Sequence, residues 1–235
     1  MRFHRVQTTQ TALVASCLSL AATCLGLAAA AHATGDPAAG KALSLTCSAC
    51  HGMDGATGLD PTYPDLAGQN ERYLLRQLQL IQSNERPILL MTGQLTGKSE
   101  RDLENLAAYY ASLPGRIRQA GGEDEAIDQA EAIYRGGILA RQVPACMACH
   151  SPSGGGNAPA GFPRLRGQPS AYTEEQLKAY REGERRTDED YGGMMRDAAR
   201  GLTDKEVSLL ADYLQGLMPA DHASASAADY SSAAD

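Results

Sequence analysis

The sequence predicts an all-α fold built twice. The chain repeats itself in one register, its apolar residues recur at helical spacing, and no stretch alternates as a strand would. A shift of 99 positions, the separation of Cys47 from Cys146, also lays Cys50 and His51 on Cys149 and His150. Tyr63-Pro64 then meets Phe162-Pro163, and Leu66, Gly68 and Gln69 meet Leu165, Gly167 and Gln168. Tyr73, Gln77 and Leu78 meet Tyr172, Gln176 and Leu177. Further on the offset becomes 104, pairing Leu103, Leu106, Ala107, Tyr109 and Leu113 with Val207, Leu210, Ala211, Tyr213 and Leu217. The second half therefore holds five extra residues, expected in the polar stretch Arg185-Arg186-Thr187-Asp188-Glu189-Asp190, which reads as a loop.

In chain order, residues 1–33 read as a secretory signal: Arg2 and Arg5 give a basic start, an apolar run follows, and Ala31-His32-Ala33 is a small-x-small cleavage site. An uncleaved anchor is the rival reading, and Val14-Ala15-Ser16-Cys17 also resembles a lipoprotein cleavage site. Each half then runs helix, Cys-x-x-Cys-His segment, Pro/Gly loop, helix, loop, helix. Leu74, Leu78 and Ile81 share one helical face, as do Leu103, Leu106, Tyr110 and Leu113. Ser99 and Thr203 are expected N-caps, with Asp102 and Glu206 three residues on to complete capping boxes. Pro114 and the Gly121-Gly122 pair interrupt the pattern, and helix resumes around Glu123 to Tyr134. The expected units are a signal over 1–33, domains over 34–119 and 120–219, and a disordered Ala/Ser/Asp tail over 220–235.

Composition narrows the function. The formal charge is −7, with the acidic excess concentrated after residue 120. A nucleic-acid binder needs a basic face, and none shows. The acidic half is either a solvated surface or a steering patch for a basic partner. Of six cysteines, Cys17 and Cys24 fall in the signal and the other four lie in the two pentapeptides, leaving none for a structural disulfide. With no Trp and only two Phe, each half would have a thin core unless a large apolar group filled it.

Cys47-Ser48-Ala49-Cys50-His51 and Cys146-Met147-Ala148-Cys149-His150 have the form of c-type haem attachment sites. Two thiols bond the porphyrin, and the adjacent histidine is placed to bind iron. A zinc ribbon would bring the Cys pairs close in sequence, and a thiol redox pair would sit in a βαβ pattern; neither holds here. The second iron ligand decides the chemistry, since an open position favours catalysis and a filled one electron transfer. Beyond the signal the histidines are His51, His150 and His222, the last in the tail, so a second histidine for both irons is not available. Methionine is the alternative. Met53 is too near His51 to reach the opposite face, Met147 is trapped between the cysteines, and Met218 is expected to end the last helix and pack there. Met91 stands in a loop, and the 104 offset carries it to Met195 rather than to its neighbour Met194. The expected metal ligands are thus His51, Met91, His150 and Met195, with Cys47, Cys50, Cys146 and Cys149 holding two haem c groups.

With Pro64-Asp65-Leu66-Ala67-Gly68-Gln69, Met91-Thr92-Gly93, Leu106-Ala107-Ala108-Tyr109-Tyr110, Gly161-Phe162-Pro163 and Ala211-Asp212-Tyr213-Leu214-Gln215-Gly216-Leu217, the chain resembles the di-haem cytochrome c4 family over about residues 36–218. The resemblance implies two tandem class I cytochrome c domains. It implies that the carbonyls of Pro64 and Pro163 accept hydrogen bonds from His51 and His150, and that the haems face each other with propionates near the domain interface. It implies a periplasmic electron carrier, not an enzyme, between a donor such as a quinol-oxidising complex and an acceptor such as a haem-copper oxidase. Membrane association would come only through such partners or an uncleaved signal. The alternatives are an electron-transfer subunit of a sulfur-compound dehydrogenase and a di-haem peroxidase; the latter would need an open iron position. The loop before Met91, Ser83-Asn84-Glu85-Arg86-Pro87, is short for the family.

Overall fold

In the computed structural model, residues 35–219 are described. The signal region with Cys17 and Cys24, and the tail over 220–235 with His222, lie outside them. The first half begins where the Asp36 carboxylate accepts the Ala38 N–H at 2.8 Å and Pro37 opens helix α1, Pro37–Leu43. Helices α2 (Leu45–His51), α3 (Glu71–Gln82) and α4 (Glu100–Ser112) follow. The second half repeats the order with α5 (Asp124–Gly136), α6 (Met147–His150), α7 (Ser170–Arg181), α8 (Met194–Ala199) and α9 (Asp204–Gly216). The described residues contain no strand, only two isolated bridges, Ile138 with Val143 and Asn157 with Phe162. The all-α expectation therefore stands. The two offsets are structural as well: α7 starts and stops 99 positions after α3, and α9 starts 104 after α4.

Both expected capping boxes form. Ser99 Oγ accepts the Asp102 N–H at 3.2 Å while the Asp102 carboxylate accepts the Ser99 N–H at 2.8 Å; Thr203 and Glu206 do the same at 3.3 and 2.9 Å. Each box starts the helix that gives its half more buried apolar residues than any other helix does. Leu103, Leu106 and Ala107 of α4 are buried, as are Val207, Leu210 and Ala211 of α9. The entry helix crosses this helix at close range. A Cβ on Gly40 of α1 would lie 1.9 Å from the Asn105 carbonyl oxygen, so only glycine permits the crossing. Across it the Asp36 N–H donates to Asn105 Oδ1 at 2.7 Å. In the second half α5 seats Ala130 and Tyr134 against α9 with no exposure.

One sequence expectation changes. Met218 lies two residues beyond the end of α9 at Gly216, not within it. The stretch at Arg185–Asp190 is the loop expected, but half of it is interior: Arg185, Thr187 and Asp188 are buried, Arg186, Glu189 and Asp190 are exposed, and Glu189–Tyr191 forms a single 3-10 turn. Burial is tolerated because each polar group is bonded. Tyr180 and Thr187 share a hydrogen bond of 2.8 Å, and the Asp188 carboxylate accepts both the Arg196 N–H and its guanidinium at 2.9 Å. The first of these caps α8 from a distance. Arg185 remains the 99-offset counterpart of Arg86, so the extra residues fall after it, before Met195.

Residues 114–121 carry no helix and run between the halves. Arg118 reaches the Asp65 carboxylate and the Gly167 carbonyl, and the Gly121 and Gly122 N–H groups donate to the Asp212 carboxylate at 2.8 and 2.9 Å. Both repeats belong to one compact unit.

Glu206 also pairs with Arg141, and that guanidinium is the main cause of its carboxyl falling to about 2 from the ordinary 4.5. A depressed carboxyl contributes stability above its unfolded pKa and loses it as pH falls through the folded value. Glu206→Gln is expected to lower stability by about 1 kcal/mol at pH 7 and to flatten the decline between pH 4.5 and 2, as read by urea unfolding across that range.

Candidate haem-binding sites

Helix α2 places Cys47, Cys50 and His51 on one side, because residues three and four apart share a helical face. The shorter α6, with Cys146 at its N-cap, does the same for Cys149 and His150. Each helix stops directly after its histidine at a residue of positive φ. This is Gly52 at 80°, where a Cβ would lie 2.5 Å from Thr57 Oγ1, and Ser151 at 67°. The uncommon conformation of Ser151 is held by two bonds: its carbonyl accepts from Tyr134 and its Oγ accepts the Gly155 N–H at 2.9 Å.

Both histidine rings are buried and both bond a proline carbonyl. His51 Nδ1 lies 3.0 Å from the Pro64 oxygen, and His150 Nδ1 lies 3.0 Å from that of Pro163. A carbonyl only accepts, so Nδ1 donates and Nε2 keeps its lone pair. Burial pulls both imidazoles below the ordinary 6.5, against the opposing pull of the proline carbonyls, so the rings are neutral at pH 7. The residue before each proline packs on the ring: Tyr63 has its centroid 6.2 Å from that of His51, and Phe162 lies 6.3 Å from His150.

A cavity of about 620 Å³ connects the two histidines, lined by all four cysteines, Met91, Met194 and Met195. Met91 ends the 3-10 turn Leu89–Met91, within the loop expected for it. Met195 packs against the buried cluster of the second half, whereas Met194 is 43 % exposed. Met53 is 76 % exposed and Met147 packs into the second-half core. No disulfide joins any of the four cysteines. Among the described residues no three His, Cys, Asp or Glu side chains converge as a zinc site would require.

One feature of the cavity wall was missed from the sequence. Arg86 donates to Gln77 at 3.0 Å in its own half, and to Tyr172 at 3.3 Å and Gln176 at 3.1 Å in the other. Arg185, its counterpart, donates to Gln176 at 2.7 Å in its own half, and to Tyr73 at 2.9 Å and Gln77 at 3.1 Å in the other. Both guanidiniums are buried, and these partners are neutral. Burial pushes the Tyr172 phenol up, but the cations of Arg86 and Arg185 outweigh it and bring it down to about 8. The available signal was the repeat itself, since the positions of both arginines obey the 99 offset.

These residues fit haem. The cavity is apolar and large, and the thiols stand beside histidines with free lone pairs. Buried cations need anionic partners, and Arg86 and Arg185 would find them in the carboxylates that a haem carries. Exposing so large an apolar space would cost on the order of 10 kcal/mol, comparable with a domain's whole net stability.

Residues 37–114 and 138–218 each match the family model described as Cytochrome c. The repeat is thus a c-type cytochrome twice over, with a covalently attached haem c in each half. The chain belongs to the di-haem cytochrome c4 family. It is 47 % identical over 187 residues to cytochrome c4 of Pseudomonas aeruginosa, covering 80 % of this chain and 91 % of that protein. It superposes on the crystal structure of reduced recombinant cytochrome c4 from Pseudomonas stutzeri with a TM-score of 0.75 at 44 % identity, over 78 % of this chain and all (100 %) of that one. It is also 35 % identical over 185 residues to a thiosulfate dehydrogenase electron acceptor of Thiomonas intermedia, covering 77 % of this chain and 84 % of that protein.

If the attached group fills the core, the double variant Cys146→Ser, Cys149→Ser is expected to lose cooperative thermal unfolding in the second half. Circular dichroism of the purified variant beside the native holoprotein checks this.

Proposed function

We propose that this di-haem electron carrier works in the periplasm, released by cleavage after Ala33. It takes electrons from a quinol-oxidising complex and passes them to a haem-copper oxidase. The domains would be residues 34–119 and 120–219. When bound, each haem supplies a one-electron ferric/ferrous couple. His51 and Met91 would ligate the first iron, and His150 and Met195 the second. The observation that carries this reading is that in each half a neutral histidine with a free Nε2 and a methionine from a separate element, the turn ending at Met91 or helix α8 at Met195, line the same cavity. The proline carbonyls hold the rings in that tautomer and raise their basicity. The Met91 and Met195 thioethers would close the irons to small substrates and raise their potentials relative to more donating ligand pairs. A closed iron disfavours a peroxidase. Among the described residues no helix is long and apolar enough to cross a membrane. The acidic excess of the second half would steer a basic partner to it.

Similarity to the thiosulfate dehydrogenase electron acceptor favours a second reading, in which the donor is a sulfur-compound dehydrogenase. Stopped-flow reduction by the purified quinol-oxidising complex against purified thiosulfate dehydrogenase separates the two, since the physiological donor will reduce the protein faster.

Both haems are expected to be low-spin and to resist carbon monoxide when reduced; rapid binding would overturn the carrier reading. Met195→Ala is expected to turn one haem high-spin while Met194→Ala leaves both low-spin, as read from the visible spectrum. The reverse pattern would move the ligand to Met194.

A further inference from the structure

The loops that meet the two histidines are gripped from across the molecule. The amide joining Pro64 to Asp65 is bonded at both ends: its oxygen accepts from His51 Nδ1, and its N–H donates to Gln168 Oε1 at 3.0 Å. The Gln168 side-chain amide returns the bond, donating to the Asp65 carbonyl at 2.8 Å. The amide joining Pro163 to Arg164 is held alike. Its oxygen accepts from His150 Nδ1, its N–H donates to Gln69 Oε1 at 2.7 Å, and Gln69 donates back to the Arg164 carbonyl at 2.8 Å. Gln69 and Gln168 are 5 % and 6 % exposed, so these bonds do not compete with water.

An amide whose N–H is donating polarises, and its oxygen becomes a better acceptor; chains of such bonds strengthen one another by about 10–30 % each. A better acceptor on Nδ1 gives the imidazole more negative character, and a more basic imidazole favours ferric over ferrous iron. We propose that each half's glutamine tunes the opposite half's haem: Gln168 lowers the reduction potential of the haem held at His51, and Gln69 that of the haem held at His150. Both are positioning residues that act through a shared peptide group and touch no haem ligand themselves. The crossing follows from geometry, because each glutamine is bonded to the loop of the other half and lies on the far side of that loop's amide from the histidine.

The proposal rests on His51 and His150 being the iron ligands, a reading tested separately by the low-spin spectrum of the native protein. The test here is spectroelectrochemical titration of the holoprotein, with each haem followed by its own methyl proton resonances. Gln168→Leu removes the acceptor from the Asp65 N–H and should shift the potential of the His51 haem upward, with a smaller change or none at the other. Gln69→Leu should shift the His150 haem instead. Both variants should stay low-spin. If the leucine variants do not fold, Gln168→Asn and Gln69→Asn keep the amide but shorten its reach by one methylene, and should give the same crossed shifts. Equal shifts of both haems, a shift only in the haem of the mutated half, or no shift with the spectrum still low-spin would each overturn the proposal. A purely structural glutamine would lower thermal stability without the crossed pattern.

Discussion

The hydrogen bond from each motif histidine to its proline carbonyl is the constraint on which the site depends. It selects the tautomer, so the lone pair of Nε2 is free to face the cavity. It ties the short motif helix to the Pro/Gly loop some dozen residues on, which brings the aromatic residue before the proline onto the ring. Through the N–H of the same peptide group it connects that loop to the opposite half. Breaking it would therefore free the ring, the loop and the domain contact together.

Much of this was legible in the sequence. The pentapeptides, the two offsets and the capping boxes at Ser99 and Thr203 are local or periodic, and local chemistry determines them. The proline partners were legible only through family resemblance, and the structure places both where that resemblance put them. The interface was not legible. Gln69, Gln77, Arg86 and their counterparts look like solvated polar residues, and their partners lie about a hundred positions away. The burial of Arg185, Thr187 and Asp188 within the polar loop was not legible for the same reason, since it depends on hydrogen bonds that no local pattern displays. Polar positions retained in both copies of a repeat, as Gln77 and Gln176 are, were the sign that these side chains have work inside the molecule.

The two halves are alike but not equal. Gly52 is answered by Ser151, which keeps the same backbone turn only because Tyr134 and Gly155 bond to it. The turn before Met195 is longer than that before Met91 and is organised by the buried Asp188. Asp65 is answered by Arg164. Burial raises the Asp65 carboxyl against the pull of Arg118, and burial brings the Arg164 guanidinium down to about 10. Each buried charge is thereby drawn toward its neutral form.

The reciprocal grip of Gln69 and Gln168 has the form of an isologous contact, in which residue i meets j and j meets i. Two separate copies of one domain could make it, but their union would then depend on concentration. Joined by one chain, the halves meet at an effective concentration of roughly millimolar, so the contact survives any dilution of the protein. Fusion also releases the paired positions from identity. A symmetric pair would set like charges at 65 and 164 near its axis, whereas the single chain carries Asp at one and Arg at the other and turns repulsion into attraction.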